Sequence, residues 1–252
     1  MTGNGVDRDP WVMLRAATRA RVGLGRAGDG LPTAENLRLA AAHAAARDAV
    51  HLPLDADAVV AALGERPSVV VHSAAADRAE YLQRPDLGRR LDEASEARLR
   101  EAAPEEPADL TVVVADGLSP RAVHDHAVAV LDALAARLDD WSFSPVVVAE
   151  QARVALGDAV AAALGSRMVL VLVGERPGMS SPDSLGAYLT WAPRVGRVDS
   201  ERNCVSNIRP PDGLSHDGAA EILAALMGEA RRRELTGVEL KDTGAALPEA
   251  AG

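Results

Sequence analysis

One cysteine, Cys204, and six aromatic side chains are all that 252 residues contain. A lone thiol excludes an intrachain disulfide framework and suits a reducing cytosol. With three Trp, two Tyr and one Phe, the core has to be assembled from Ala, Val and Leu, which requires closely spaced elements. Positive charge is in deficit: Lys and Arg total 27 against 37 Asp and Glu, a formal charge of −10. That balance argues against a nucleic-acid binder, which needs a basic face, and favours solubility. No apolar run approaches the roughly 18–20 residues that span a bilayer. Residues 1–7 lack the basic-then-apolar order of a secretory signal. Signatures that would name a mechanism are missing too. No CxxC or HExxH suggests zinc, and no GxSxG elbow suggests a serine hydrolase.

The pattern that is present changes near residue 55. Before it, residues 11–22 set Trp11, Leu14, Ala17 and Val22 against Arg15, Arg19 and Arg21 at helical spacing. The arginines read as a solvated or partner-facing stripe. A turn over 23–31 leads to a helix that opens at Pro32-Thr33-Ala34-Glu35, reaches about Val50 and is ended by Pro53. Residues 1–54 are therefore expected to form a small N-terminal helical unit, with the first nine loose. After it, helices over 56–64, 76–81, 85–103, 119–138, 155–164 and 215–235 alternate with strands over 68–71, 111–115, 146–148 and 168–173. Residues 185–191 add an edge strand. Strands separated by helices imply a mostly parallel sheet. The expectation is an α/β, Rossmann-like domain with flanking helices over 55–252, with a disordered Ala/Gly/Pro tail after about 242.

The segment from Met168 to Pro211 organises the chain. Its apolar run ends in the turn Gly174-Glu175-Arg176-Pro177-Gly178, which puts Glu175 just beyond a strand's carboxyl end, where open parallel sheets hold ligands. Asp116-Gly117-Leu118-Ser119 follows another strand, and Ser119-Pro120 is a good helix start. It reads as a cap and turn, or as a helix N-terminus that borders one crevice with Glu175. Ser180, Ser181 and Asp183 read as helix-capping residues. Gly23-Leu24-Gly25-Arg26-Ala27-Gly28 satisfies GxGxxG, but a helical pattern rather than a strand precedes it, so it reads as an inter-helix turn. His124 and His126, two apart on a helix, point to different sides and do not share an ion. Cys204 reads as a small buried hydrophobe.

Three pieces of the central segment resemble the small subunit of ethanolamine ammonia-lyase: Gly174-Glu175-Arg176-Pro177-Gly178, Ser181-Pro182-Asp183-Ser184-Leu185 and Arg202-Asn203-Cys204-Val205-Ser206-Asn207-Ile208. So do Gly25-Arg26-Ala27-Gly28, Leu82-Gln83-Arg84-Pro85-Asp86-Leu87-Gly88-Arg89-Arg90 and Asp116-Gly117-Leu118-Ser119. The matches keep their order from about Arg15 to Asp242. The resemblance implies a carbon–nitrogen lyase that uses adenosylcobalamin to convert ethanolamine to acetaldehyde and ammonia. The cofactor's cobalt–carbon homolysis supplies the radical that abstracts hydrogen from the substrate. The implied partner is a large subunit whose TIM barrel holds the substrate, with the Rossmann-like small subunit closing over the cobalamin. The family's cofactor contacts fall on Val154, Glu175 and Cys204; no residue of this chain is implied as catalytic or as a metal ligand. The cofactor is expected base-on, with its own dimethylbenzimidazole on cobalt. A protein that replaces that base supplies a histidine, usually in an Asp-x-His-x-x-Gly loop. None of His43, His51, His72, His124, His126 and His216 sits in that pattern. The expected compartment is the cytoplasm or a bacterial microcompartment. A nonenzymatic Rossmann-like binding or scaffold module is the alternative from another class.

Overall fold

The computed structural model describes residues 9–241. The expectations of a loose start over 1–9 and of a disordered tail after about 242 fall, except for residue 9, outside the described residues. Helix α1 (Trp11–Ala17) stops at Ala17 rather than Val22, because Thr18 is extended, with φ −147° and ψ 148°. The extended run carries Arg19 to Ser180 O (3.0 Å) and to Asp212, and Arg21 to Met179 O (3.3 Å). Arg19 and Arg21 of the stripe thus clasp distant loops of the same chain, while Arg15 pairs locally with Asp9 and Gly23 O. Residues 23–31 form a turn in which Gly23, Gly25 and Gly28 have positive φ. Helix α2 (Thr33–His51) follows and buries only Ala49.

Asp55 caps α3 (Ala56–Leu63) by accepting from Ala58 N at 2.9 Å, a contact that satisfies one of the orphan donors of the first turn. Then come β1 (Ser68–His72), α4 (Arg78–Gln83), α5 (Glu93–Ala102), β2 (Leu110–Ala115), α6 (Pro120–Ala122) and α7 (Val128–Ala135). A π-helical turn over Val123–Ala127 joins the last two. The chain continues through β3 (Val146–Glu150), α8 (Leu156–Ala163), β4 (Met168–Gly174), β5 (Leu185–Trp191), β6 (Asn203–Ile208) and α9 (His216–Arg233). The six strands form one sheet in the order β1-β3-β2-β4-β5-β6. The first four are parallel and β5 and β6 are antiparallel. The mostly parallel α/β fold is the one expected.

Two further details differ from expectation. The helix expected over 85–103 is broken: Leu87–Arg89 is a 3-10 turn, Ser73 bridges Leu91, and α5 starts afresh where the Asp92 side chain accepts from Ser95 N at 2.6 Å. Strand β5 is not the edge of the sheet. Strand β6 covers it, and β6 escaped notice because only Val205 and Ile208 of its six residues are buried.

The sheet is covered on both faces, and β4 shows why its sequence is continuously apolar. Met168, Leu170 and Leu172 pack into one core with α3, α7 and α9, while Val169, Val171 and Val173 pack into a second core with α5 and α8. Neighbouring strands β3 and β2 send their following helices, α8 and α7, to opposite faces. Loops that leave a parallel sheet in opposite directions open a crevice between them at its carboxyl edge.

Candidate functional site

That crevice is a cleft of about 310 Å³ lined by Gly117 and Leu118 after β2, Arg153 and Val154 after β3, Gly174, Glu175 and Arg176 at the end of β4, and both tyrosines of the chain, Tyr81 and Tyr188. Its floor is a glycine-to-glycine contact. Leu118 N–H donates to Gly174 O at 2.9 Å. Gly117 has φ +55°, and a Cβ there would lie 2.2 Å from Gly174 O. Only glycine combines that left-handed backbone with so close an approach.

Asp116 holds the floor to the wall. It is fully buried and accepts from Arg78 Nη1 (3.0 Å), Gln151 N (2.9 Å) and Ala152 N (2.8 Å). Burial pushes its carboxyl up to about 6, against the pull of the Arg78 charge and the backbone N–H donors. The cap-and-turn reading holds for Ser119, whose Oγ accepts from Ala122 N at 3.3 Å. The crevice reading holds for Gly117 and Leu118, which share the cleft with Glu175. Asp116 itself is sealed beneath and positions the loop after β3.

The wall is an aromatic ring between two cations. The guanidinium carbons of Arg78 and Arg153 each lie 4.9 Å from the Tyr81 ring centroid, an arrangement favoured by the ring quadrupole. The Tyr81 hydroxyl donates to Ala152 O at 3.1 Å. Burial, reinforced by the charge of Asp116, pushes that phenol well above its ordinary value, so it stays a neutral donor. Arg153 Nε and Gln151 Oε1, in the same loop, are buried without a hydrogen-bond partner. Buried polar atoms are nearly always paired, so this loop is short of a partner that the described residues do not supply.

Glu175 stands on the rim. Its carboxylate accepts from Ser184 Oγ (2.6 Å), from Ser206 Oγ and from Asn207 N (3.4 Å). It therefore ties the end of β4 to the start of β5 and to β6. Ser180, Ser181 and Asp183 cap no helix: Gly178 and Ser181 exchange backbone hydrogen bonds in a tight turn, and Asp183 pairs with Arg209 at 3.2 Å. The turn leads straight into a strand, which leaves no orphan helix donors to satisfy.

Val154 and Glu175 thus share the cleft. Cys204 is not in its lining but is the cross-strand partner of Tyr188, which is. Cys204 is exposed, contrary to the buried reading. On edge strand β6 it alternates with buried Val205, so it faces outward. Local desolvation pushes its thiol above the ordinary value, with the charge of Glu175 adding and the Tyr188 hydroxyl opposing. A raised thiol pKa makes a poor nucleophile. Sequence reasoning missed Tyr81, Arg153 and Tyr188. Arg153 adjoins Val154, and Tyr81 directly precedes the Leu82–Arg90 match, but nothing in their spacing announces the stack. His124 and His126 diverge as expected, the first accepting from Asp55 N (3.2 Å), the second meeting His216 (3.0 Å).

A family model described as ethanolamine ammonia-lyase light chain (EutC) matches residues 8–241. An ethanolamine ammonia-lyase small subunit from Pseudomonas syringae pv. tomato is 54% identical over 245 residues, covering 95% of this chain and 85% of that protein. Small subunits from Xanthomonas campestris pv. campestris and Pseudomonas aeruginosa are 57% and 55% identical, each covering 93% of this chain and 88% of the relative.

Proposed function

The chain belongs to the ethanolamine ammonia-lyase light-chain family, and from that membership we propose that its carboxyl-edge cleft is the small-subunit face of the enzyme's cofactor site. The protein is the small subunit of an adenosylcobalamin-dependent lyase that acts on ethanolamine as a complex with a large subunit. The finer reading is that Val154, Glu175 and Cys204 contact the cofactor, which is held base-on.

The observation that carries this reading is one cleft holding Val154 and Glu175, walled by a loop with two unpartnered buried polar atoms, Arg153 Nε and Gln151 Oε1. Cobalamin is a large, partly apolar ligand fringed with amide arms, which both donate and accept. The residues present fit it. Val154 offers apolar contact, Arg153 and Arg176 offer donors, and the Glu175 carboxylate has acceptor capacity beyond the contacts it makes. A cleft of about 310 Å³ is at the small end for ligand pockets, so it covers one side of the cofactor and needs a second protein surface opposite. When bound, adenosylcobalamin supplies radical chemistry through homolysis of its cobalt–carbon bond. This chain's part is to orient and to exclude water. Tyr81 and Asp116 lock the wall, the glycine contact fixes the floor, and Glu175 holds β5 and β6 at the rim. Cys204 and Tyr188 extend that rim along the edge strands.

The organisation we infer is a helical unit over residues 1–54 and a cofactor-holding domain over 55–252. The weak burial of α2 supports it. Among the described residues no helix is long and apolar enough to cross a membrane. The compartment we propose is the cytoplasm, including any bacterial microcompartment within it.

The test uses the reconstituted complex with its large subunit. Val154→Arg should lower cyanocobalamin affinity, measured by equilibrium dialysis, while gel filtration shows unchanged assembly. The purified chain alone should not turn over ethanolamine with adenosylcobalamin. Unchanged affinity in the variant, or turnover by the chain alone at the rate of the complex, would overturn the reading.

A further inference from the structure

A second constellation lies outside the cleft, assembled from three segments far apart in sequence. Asp125 and His126 sit on the π-helical turn between α6 and α7, Asp183 in the loop before β5, and His216 at the start of α9. One ligating atom from each of Asp125, His126 and Asp183 lies within 4.8 Å of the others. His126 is only 7% exposed. Its Nδ1 is 3.0 Å from His216 Nε2; its Nε2 is buried with no close hydrogen-bond partner among the described residues, and the ring also faces the Asp183 backbone carbonyl.

A buried ring nitrogen without a partner is destabilising, and here two carboxylates converge beside the same ring. Each carboxylate spends one oxygen on an arginine. Arg121 Nε donates to Asp125 Oδ2 (3.3 Å) and Arg209 Nε donates to Asp183 Oδ1 (3.2 Å). The other oxygen of each is free to ligate. With the His126 proton on Nδ1 and donated to His216, the Nε2 lone pair is left to bind an ion, the arrangement in which a ligating imidazole is oriented by its second nitrogen. A wide π turn is a recurrent feature of functional sites, and this one carries two of the three donors. One imidazole with two carboxylates, completed by a solvent ligand, would suit zinc(II) better than the oxygen-only sets of magnesium and calcium. Exposed Asp125 can rotate to bring the donors onto a single ion.

We propose that Asp125, His126 and Asp183 form a zinc(II) site, with His216 as the residue that orients His126. The ion would pin the turn around Ser180–Ser184 to α7 and α9. Ser184 holds Glu175, so the site is structural and stiffens the rim of the cleft from behind. His124, tied to Asp55 N, is not part of it.

The experiment uses the complex with the large subunit, purified through a chelator and free of cobalamin, so that corrin absorbance does not interfere. Zinc(II) alone is titrated by calorimetry, and cobalt(II) replaces it for visible d–d spectra. The expected result is one zinc per small subunit beyond any bound by the large one. Asp125→Asn should abolish this binding, and His216→Gln should weaken it by about 10–100-fold. His124→Gln should leave it intact. Asp125 is exposed, so its variant should melt like the parent without zinc, which separates loss of binding from loss of fold. Absence of that zinc in the parent complex, or identical stoichiometry and affinity in parent and Asp125→Asn, overturns the proposal.

Discussion

Arg202 and Asp158 form a two-pronged ion pair sealed from solvent, with Nη1 2.8 Å from Oδ1 and Nη2 2.6 Å from Oδ2. Each side chain is 1% exposed. Asp158 is on α8 and Arg202 immediately precedes β6, so the pair fastens the antiparallel edge of the sheet to a helix of the parallel half. Arg202 Nη1 also donates to Thr190 Oγ1 at 2.9 Å, within β5. Removing one partner of such a pair strands a charge in the interior, at a cost of about 3–5 kcal/mol. Asp158→Asn should lower the stability of the chain by that order in urea unfolding. The double variant Asp158→Leu with Arg202→Met should lie closer to the parent than either single change. A single variant with parental stability would show that the pair carries little.

Asp116 sets a pH dependence of definite sign. Burial in the fold raises its carboxyl from the ordinary 3.8 to about 6, so the folded state holds the proton more tightly than the unfolded chain. Its contribution is fully present below about pH 4 and is lost as pH rises through about 6, a change of about 3 kcal/mol. Asp116→Asn cannot ionise. The stability difference between Asp116→Asn and the parent should therefore move in favour of the variant between pH 4 and 6, whatever offset the lost acceptor adds. Parallel urea midpoints for the two proteins across that window would contradict it.

Glu175→Ala should weaken cobalamin binding by the reconstituted complex more than it weakens folding. Loss of a hydrogen bond at a half-buried rim costs about 1–3 kcal/mol, on the order of a 5- to 150-fold loss of affinity. Because Ser206 donates to this carboxylate, Ser206→Ala separates two routes. An equal loss in Ser206→Ala means Glu175 acts by holding β6; a parental affinity there means it meets the cofactor itself. Parental affinity in Glu175→Ala would remove it from the site.

Base-on binding has a spectroscopic signature. None of the six histidines of the chain is among the residues lining the cleft. With ¹⁵N-histidine protein and unlabelled cofactor, the cob(II)alamin EPR spectrum of the complex should keep the ¹⁴N hyperfine pattern of the cofactor's own base. A change to the ¹⁵N pattern would place a protein imidazole on cobalt.

The sequence by itself determined the layers of the fold. Leu110–Ala115 and Met168–Gly174 are uninterrupted apolar runs closed by an Asp116-Gly117 or Glu175-Arg176-Pro177 turn, and a strand buried on both faces can read no other way. Their carboxyl ends, and hence Gly117 and Glu175, were legible as one edge for the same reason. Tertiary structure alone decided what that edge contains. Tyr81, one helical turn from Arg78 on α4, also stacks on Arg153 from the loop after β3, and Asp116 reaches backbone donors of that same loop. No local period encodes contacts between residues 35 or more apart. Strand β6 and the exposure of Cys204 were hidden likewise, because an edge strand buries only part of one face and its polar residues imitate a loop. The distant partners of His126, Asp183 before β5 and His216 at the start of α9, are placed by how β5 and α9 close the sheet. Burial on both faces writes itself into a sequence, whereas the meeting of loops is decided by the fold that brings them together.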